Sequence, residues 1–147
     1  MFTHAFAAAT FALFAQSALA GVCSRTYAIK EGDWCDTISA NKNVSTYQLA
    51  VVNQGIINSE CTNLIPGNSI CLGNEKEDCS TTYVIKADDS CENIASSHGL
   101  NSTILRMNNP QINDDCNNIY IGEVSSRYAR ICCGGKTGLA GYFRFHH

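Results

Sequence analysis

Proline, tryptophan and charge are all scarce in this sequence. Only two prolines and one tryptophan occur in 147 residues. Charged side chains make up 16%, below the roughly 25% of an ordinary soluble domain. Ten basic residues against 13 acidic ones leave a formal net charge of -3, so no general electrostatic basis exists for gripping a nucleic acid. After residue 20, no stretch approaches the ~18 uninterrupted apolar residues of a membrane span. Histidine is thin too: His4 lies near the start, His146 and His147 at the far end, and only His98 within the body of the chain. A Cys-His or Ser-His nucleophile pair would rest on that one residue. Adjacent acids such as Asp88-Asp89 and Asp114-Asp115 point apart in a turn and lack the cleft that a glycosidase needs. The length leaves room for one ordinary domain or two very small ones.

Cysteine is abundant by contrast, with nine residues. Residues Ala5 to Ala15 form an apolar run, and Ala18-Leu19-Ala20 supplies the small-x-small pattern read before Gly21. Residues 1–20 are therefore expected to be a signal peptide and the protein to be secreted. In an oxidising compartment the cysteines are expected to form disulfides. Their spacing argues against zinc, because a step of twelve is far from the two-to-four spacing of metal knuckles. No cofactor motif is present.

The cysteine spacing also reveals a duplication. Cys23 to Cys35 and Cys79 to Cys91 are both steps of twelve; Cys35 to Cys61 is twenty-six and Cys91 to Cys116 is twenty-five. At an offset of 56, Cys23 to Lys30 lies over Cys79 to Lys86, and Asp33, Ile38, Leu49 and Asn53 lie over Asp89, Ile94, Leu105 and Asn109. One extra residue near Ile56 shifts the offset to 55, so that Ile57-Asn58 matches Ile112-Asn113 and Gly67 matches Gly122.

Each repeat reads as βααβ, giving an α+β fold of two small tandem units. Thr26–Ile29 and Thr82–Ile85 have strand composition. Asp33 and Asp89 are expected to cap a first short helix anchored by Ile38 and Ile94. A second helix fits Thr46–Val52 and Ser102–Asn108, with Leu49 and Leu105 inward. It stops at an Asn-rich turn, where Pro110 cannot continue it. Closing strands are expected within 64–71 and 119–124. Units this small bury little apolar surface, so disulfides are the natural supplement. The expected layout is unit 1 at 23–72, a linker at 73–78, unit 2 at 79–126 and an atypical basic stretch at 127–147.

Strand, Gly-Asp-x-Cys turn, paired short helices, Asn109-Pro110-Gln111-Ile112-Asn113 and the Ile119-Tyr120-Ile121-Gly122 segment together resemble the LysM domain, in the cysteine-containing form of secreted fungal LysM effectors. In the first repeat, Lys30-Glu31-Gly32-Asp33-Trp34-Cys35 carries the resemblance, which covers about Cys23 to Val124. It implies binding of N-acetylglucosamine polymers, chiefly chitin, between the loop after the first strand and the loop after the second helix. Carried onto this sequence, the carbohydrate-binding residues are Gly32, Asp33, Trp34, Asn53, Gln54, Ile57 and Asn58, and then Asp88, Asp89, Ser90, Asn109, Pro110, Gln111, Ile112 and Asn113. An N-acetylglucosamine unit offers hydroxyls, an amide and a methyl, so it needs amide or backbone partners beside a small apolar spot. Ile112 is the candidate for the methyl; Asn109 and Asn113 are candidates for backbone or sugar groups. Trp34 offers an aromatic face to a sugar ring or packs inward. The first site departs from the family pattern, because Gln54-Gly55-Ile56 replaces the Pro-Gln pair and adds a residue. Tyr27 and Tyr83 are expected in the core.

If the strands of a repeat are antiparallel, Cys23 is favoured to pair with Cys71, Cys35 with Cys61 and Cys91 with Cys116. Four cysteines allow three connectivities, and bridges between repeats stay open. Cys132 or Cys133 then stands in as partner for Cys79, leaving an odd thiol for a dimer; dimerisation through ligand is the other route. Residues 125–147 carry four basic side chains and no acid, against 6 basic and 13 acidic in 21–124. This basic end resembles nothing in the family and is read as an altered gene end in preference to a surface for anions. Asn43-Val44-Ser45 and Asn101-Ser102-Thr103 are glycosylation sequons at matching inter-helix positions.

The reading is a non-catalytic, secreted protein of two LysM modules that shields or sequesters chitin from host receptors. A linker of at most about 25 Å lets two weak sites reach one polymer, raising avidity by about 10² to 10⁴. Two alternatives are a peptidoglycan-binding LysM protein and a disulfide-rich inhibitor or toxin directed at a protein.

Overall fold

The computed structural model describes residues 22–75 and 77–128. The expected signal peptide lies outside them, as do Cys132 and Cys133 with the rest of the basic end from residue 129.

The chain runs β1 (Cys23–Ala28), α1 (Cys35–Lys42), α2 (Thr46–Val52), β2 (Ser69–Asn74), β3 (Thr82–Val84), α3 (Cys91–Ser97), α4 (Ser102–Asn108) and β4 (Val124–Ser126). It is βααβ twice. β1 pairs antiparallel with β2, and β3 antiparallel with β4. Along β1 the burial alternates with the two-residue period of a strand that has one face on a core.

Each module has its own core, and the two cores match at five aligned positions. Ile29, Cys35, Ile38, Leu49 and Ile57 cluster in the first; Ile85, Cys91, Ile94, Leu105 and Ile112 cluster in the second. Tyr27 and Tyr83 are half-buried against these clusters. Three bridges close as antiparallel pairing favours: Cys23–Cys71, Cys35–Cys61 and Cys91–Cys116. Cys79 is disulfide-bonded too; its expected partner, Cys132 or Cys133, lies outside the described residues.

Three sequence expectations need correction. Asp33 and Asp89 do not cap helices. The cap position of α1 is Trp34, whose N–H donates to Thr37 Oγ1 at 3.1 Å, and that of α3 is Ser90, whose Oγ accepts from Asn93 N–H at 3.2 Å. Asp33 and Asp89 lie one residue too early; each carboxylate instead accepts the N–H three residues back, from Lys30 and Lys86, at 2.7 Å. That bond closes the turn in place of the helix. The closing strands start later than composition suggests. Gly67 and Gly122 have φ of +89° and +94°, a left-handed conformation that glycine adopts without penalty. Residues before them therefore form a turn.

The stretch 73–78 is not a free linker. Gly73 and Asn74 are the last residues of β2. Asp78 is clamped by Arg25, which donates from Nε and from Nη2 at 2.6 Å each. Gln48 donates to the Leu72 carbonyl and the Asp78 carboxylate, and its own Oε1 accepts from Cys79 N–H at 2.8 Å. The modules also touch directly, with α1 against β3 and β4 and α2 against β4.

Candidate functional site

One disulfide in each module brings the two loops of interest together. Gly32–Trp34 ends at Cys35, while Asn53–Asn58 ends three residues before Cys61. The Cys35–Cys61 bridge, with the two cysteine Cα atoms 6.0 Å apart, draws those ends together. Cys35 N–H donates to Cys61 Sγ at 3.1 Å, and Cys61 N–H to the Asn58 carbonyl at 3.0 Å. Module 2 repeats this geometry. Cys91 and Cys116 have Cα atoms 6.0 Å apart, Cys91 N–H donates to Cys116 Sγ at 3.1 Å, and Cys116 N–H donates to the Asn113 carbonyl at 3.0 Å. The loop before the first helix and the loop after the second are thus stapled side by side, twice.

Within the paired loops the side chains divide by task. Asn53 and Asn109 are 0% exposed. Asn53 Nδ2 donates to the carbonyls of Leu49 and Cys71 while its Oδ1 accepts from Cys71 N–H. Asn109 does the same with Leu105 and Ser126. Each asparagine pins the end of the second helix to the closing strand and has no side-chain atom left for a ligand. Ile57 and Ile112, 6% and 5% exposed, are core anchors and offer a methyl group only a marginal edge. Asn58 and Asn113 brace their own turns: Asn58 accepts the Thr62 N–H and donates to the Thr62 hydroxyl, and Asn113 accepts the Asn117 N–H and donates to the Asn117 side-chain carbonyl.

Gly32, Gln54, Asp88 and Asn113 are exposed. Asp33, Trp34, Asn58, Asp89, Ser90, Pro110 and Gln111 are half-buried. Trp34 packs against the first core. The Asp33 carboxylate accepts the Tyr27 hydroxyl at 2.8 Å, which raises the tyrosine pKa, and Asp89 does the same to Tyr83. Gln111 Nε2 donates to Glu123 Oε1 at 2.9 Å. The exposed inventory is amides, carboxylates and a glycine on braced backbone, a surface able to donate and accept hydrogen bonds to neutral polar groups. Among the described residues no group of three or more His, Cys, Asp or Glu could hold a metal ion.

A family model described as LysM domain matches residues 27–73 and 83–124. The chain belongs to the LysM domain family. Non-secreted LysM effector LCP1 of Gibberella moniliformis is 37% identical over 118 residues, which cover 79% of this chain and 14% of that protein. Non-secreted LysM effector LysM19 of Penicillium expansum is 34% identical over 107 residues, 73% of this chain and 8% of that one. A secreted LysM effector of Pochonia chlamydosporia is 32% identical over 120 residues, 79% of this chain and 16% of its own. This LysM chain therefore spans only 8–16% of the length of these three relatives. Among solved structures, the ectodomain of a receptor like kinase aligns over 69% of this chain and 54% of its own at 21% identity, with a TM-score of 0.33.

Sequence reasoning missed the residues that join the LysM modules: Asp36 and Thr46 against Tyr120 and Val124 at the seam, and Arg25 and Gln48 against Asp78 and Cys79 at the connection. A signal for three of them existed in the repeat alignment. Arg25 lies over Thr81, Gln48 over Ile104 and Tyr120 over Ile65, so polarity changes between copies where one copy touches the other.

Proposed function

We propose that this LysM protein binds chitin or soluble N-acetylglucosamine oligomers without catalysis, through the paired loops of each module. The observation that carries the reading is the pair of matching staples, Cys35–Cys61 and Cys91–Cys116, whose cysteines, with Cα atoms 6.0 Å apart, tie the residue after the first loop to the turn that follows the second. In module 1 the surface offered to sugar is Gly32, Trp34, Gln54 and Asn58. In module 2 it is Asp88, Ser90, Pro110, Gln111 and Asn113. Asn53 and Asn109 hold the loops in place, and Ile57 and Ile112 fix them from below.

The biological role proposed is the one the family resemblance implies: masking wall chitin, or removing fragments before a host receptor meets them. That role requires export, which the apolar segment at 5–15 and Ala18-Leu19-Ala20 favour. Glycosylation at Asn101 suits the same route. Its Oδ1 caps α4 by accepting Ile104 N–H at 2.8 Å, which leaves Nδ2, the atom a glycan would occupy, outside the cap. Asn43 is exposed in the turn after α1.

The test is retention of the purified protein on chitin beads and on bacterial cell wall in parallel. Retention on chitin that free oligomer displaces is expected. Retention on bacterial wall alone would transfer the loops to peptidoglycan, and retention on neither contradicts a sugar-binding role.

A further inference from the structure

The seam between the modules contains buried polar contacts that neither module needs for its own core. Tyr120 donates its hydroxyl to the Asp36 carboxylate, with both oxygens at 3.2 Å, across 84 residues of sequence. Thr46 Oγ1 donates to Asp36 Oδ1 at 3.1 Å and accepts Val124 N–H at 3.0 Å. Asp36 is 6% exposed, Thr46 1% and Val124 0%. A buried carboxylate is held only where its hydrogen bonds offset lost hydration, so the seam has one geometry that satisfies it.

The seam is also contiguous with both loop pairs. Asp36 directly follows Cys35, the staple residue of module 1, and lies two Cα steps, at most about 7.6 Å, from Trp34. On the other side, Tyr120 N–H donates to Glu123 Oε2 at 3.3 Å, and Glu123 Oε1 accepts from Gln111 of the second loop pair. Gln111 is fixed further by its carbonyl, which accepts from Asn118 Nδ2 at 2.7 Å. A short run of contacts therefore joins the two loop pairs: Cys35, Asp36, Tyr120, Glu123, Gln111.

We propose that Tyr120 is a positioning residue: by bonding Asp36 it fixes the two loop pairs in one orientation, so that the chain selects long oligomers that reach both over short ones that fill one. This rests on the loop pairs being sugar sites. A fixed orientation keeps the second site at a high effective concentration once the first is filled, and a loosened seam lowers it.

Calorimetry of the full chain with N-acetylglucosamine trimer and octamer, in wild type and Tyr120→Phe, tests this. Wild type is expected to bind octamer at least tenfold more tightly than trimer. In Tyr120→Phe the trimer affinity is expected to stay within twofold and the octamer advantage to shrink by about tenfold. Asp36→Asn, which keeps an acceptor for the tyrosine hydroxyl, is expected to retain most of the advantage. Thr46→Val, which cuts the Val124 contact at the same seam, gives the same test should Tyr120→Phe fold poorly. An unchanged octamer-to-trimer ratio in both seam variants overturns the proposal, and so does an equal loss for both ligands. If wild type binds neither ligand, the sugar reading itself fails.

Discussion

Asn109 shows how a residue in a candidate binding loop can be indispensable from inside the fold. Its amide makes three hydrogen bonds at 2.7 Å from a fully buried position. Asn109→Ala strands the Ser126 N–H and two carbonyls, so a loss of about 1–3 kcal/mol is expected in urea unfolding. Asn113→Ala, on the exposed side of the same loop, is expected to weaken sugar binding with a much smaller change in stability. Gly73 is constrained differently, by close approach. A Cβ there collides with the Asp78 carboxyl and crowds the Gln48 amide, so Gly73→Ala must disturb the Arg25–Asp78 clamp. It is expected to lower the thermal midpoint by several degrees and to disrupt the clamp, whereas Gly55→Ala, with open space around its Cβ position but a φ of +80°, strains only its own turn and leaves the clamp intact. Little of this was readable beforehand. The asparagines stood out in sequence, but which of them turn inward depends on where the closing strand passes, a long-range fact.

At the scale of elements, each staple does two things. Cys91–Cys116 closes a loop spanning 25 positions, and restricting such a loop in the unfolded chain is worth about 3 kcal/mol. The double substitution Cys91→Ala, Cys116→Ala is expected to lose about that much in denaturant unfolding. It should also weaken the second module's share of sugar binding, since the bridge ties Cys91, next to Ser90, to Cys116, whose N–H bonds the Asn113 carbonyl.

Helix positions were legible in the sequence because Ile38, Leu49, Ile94 and Leu105 recur in register and all become core. Strand ends and caps were not. Composition marked Asp33 as a cap, but the chain places it one residue early, where its carboxylate closes a turn. The paired loops were legible only through the family resemblance, because no local property of Gly32–Trp34 specifies a partner twenty residues on.

For the whole molecule, the seam and the clamp decide whether two modules behave as one body. Burial pushes the Asp78 carboxyl up, but hydrogen bonds from Arg25, Gln48 and Ser24 outweigh that and hold it below the ordinary carboxylate range. A lowered folded-state pKa stabilises the protein above about pH 3.9, and that contribution is lost as pH falls through the folded value. Urea midpoints measured from pH 6 down to pH 3 should therefore fall more in wild type than in Asp78→Asn. Tyr120 has the opposite sign. Burial first, then the nearby Asp36 and Glu123 carboxylates, raise its pKa. Its contribution is full below about pH 10 and is lost as pH rises further, so the seam should loosen in alkali.

Duplication was plain from the cysteine steps, whereas the docking of one copy on the other was hidden. The residues responsible, such as Tyr120 over Ile65, depart from the repeat and look like drift until both copies are placed in space.

Most directly, the account is tested by one calorimetric titration of the purified chain with chitin hexamer at neutral pH. A saturable exothermic isotherm is expected, weakened when Asn58 and Asn113 are both replaced by alanine. Absence of saturable heat across micromolar to millimolar hexamer, from protein whose disulfides are intact, would contradict the claim that the stapled loops receive an acetamido sugar.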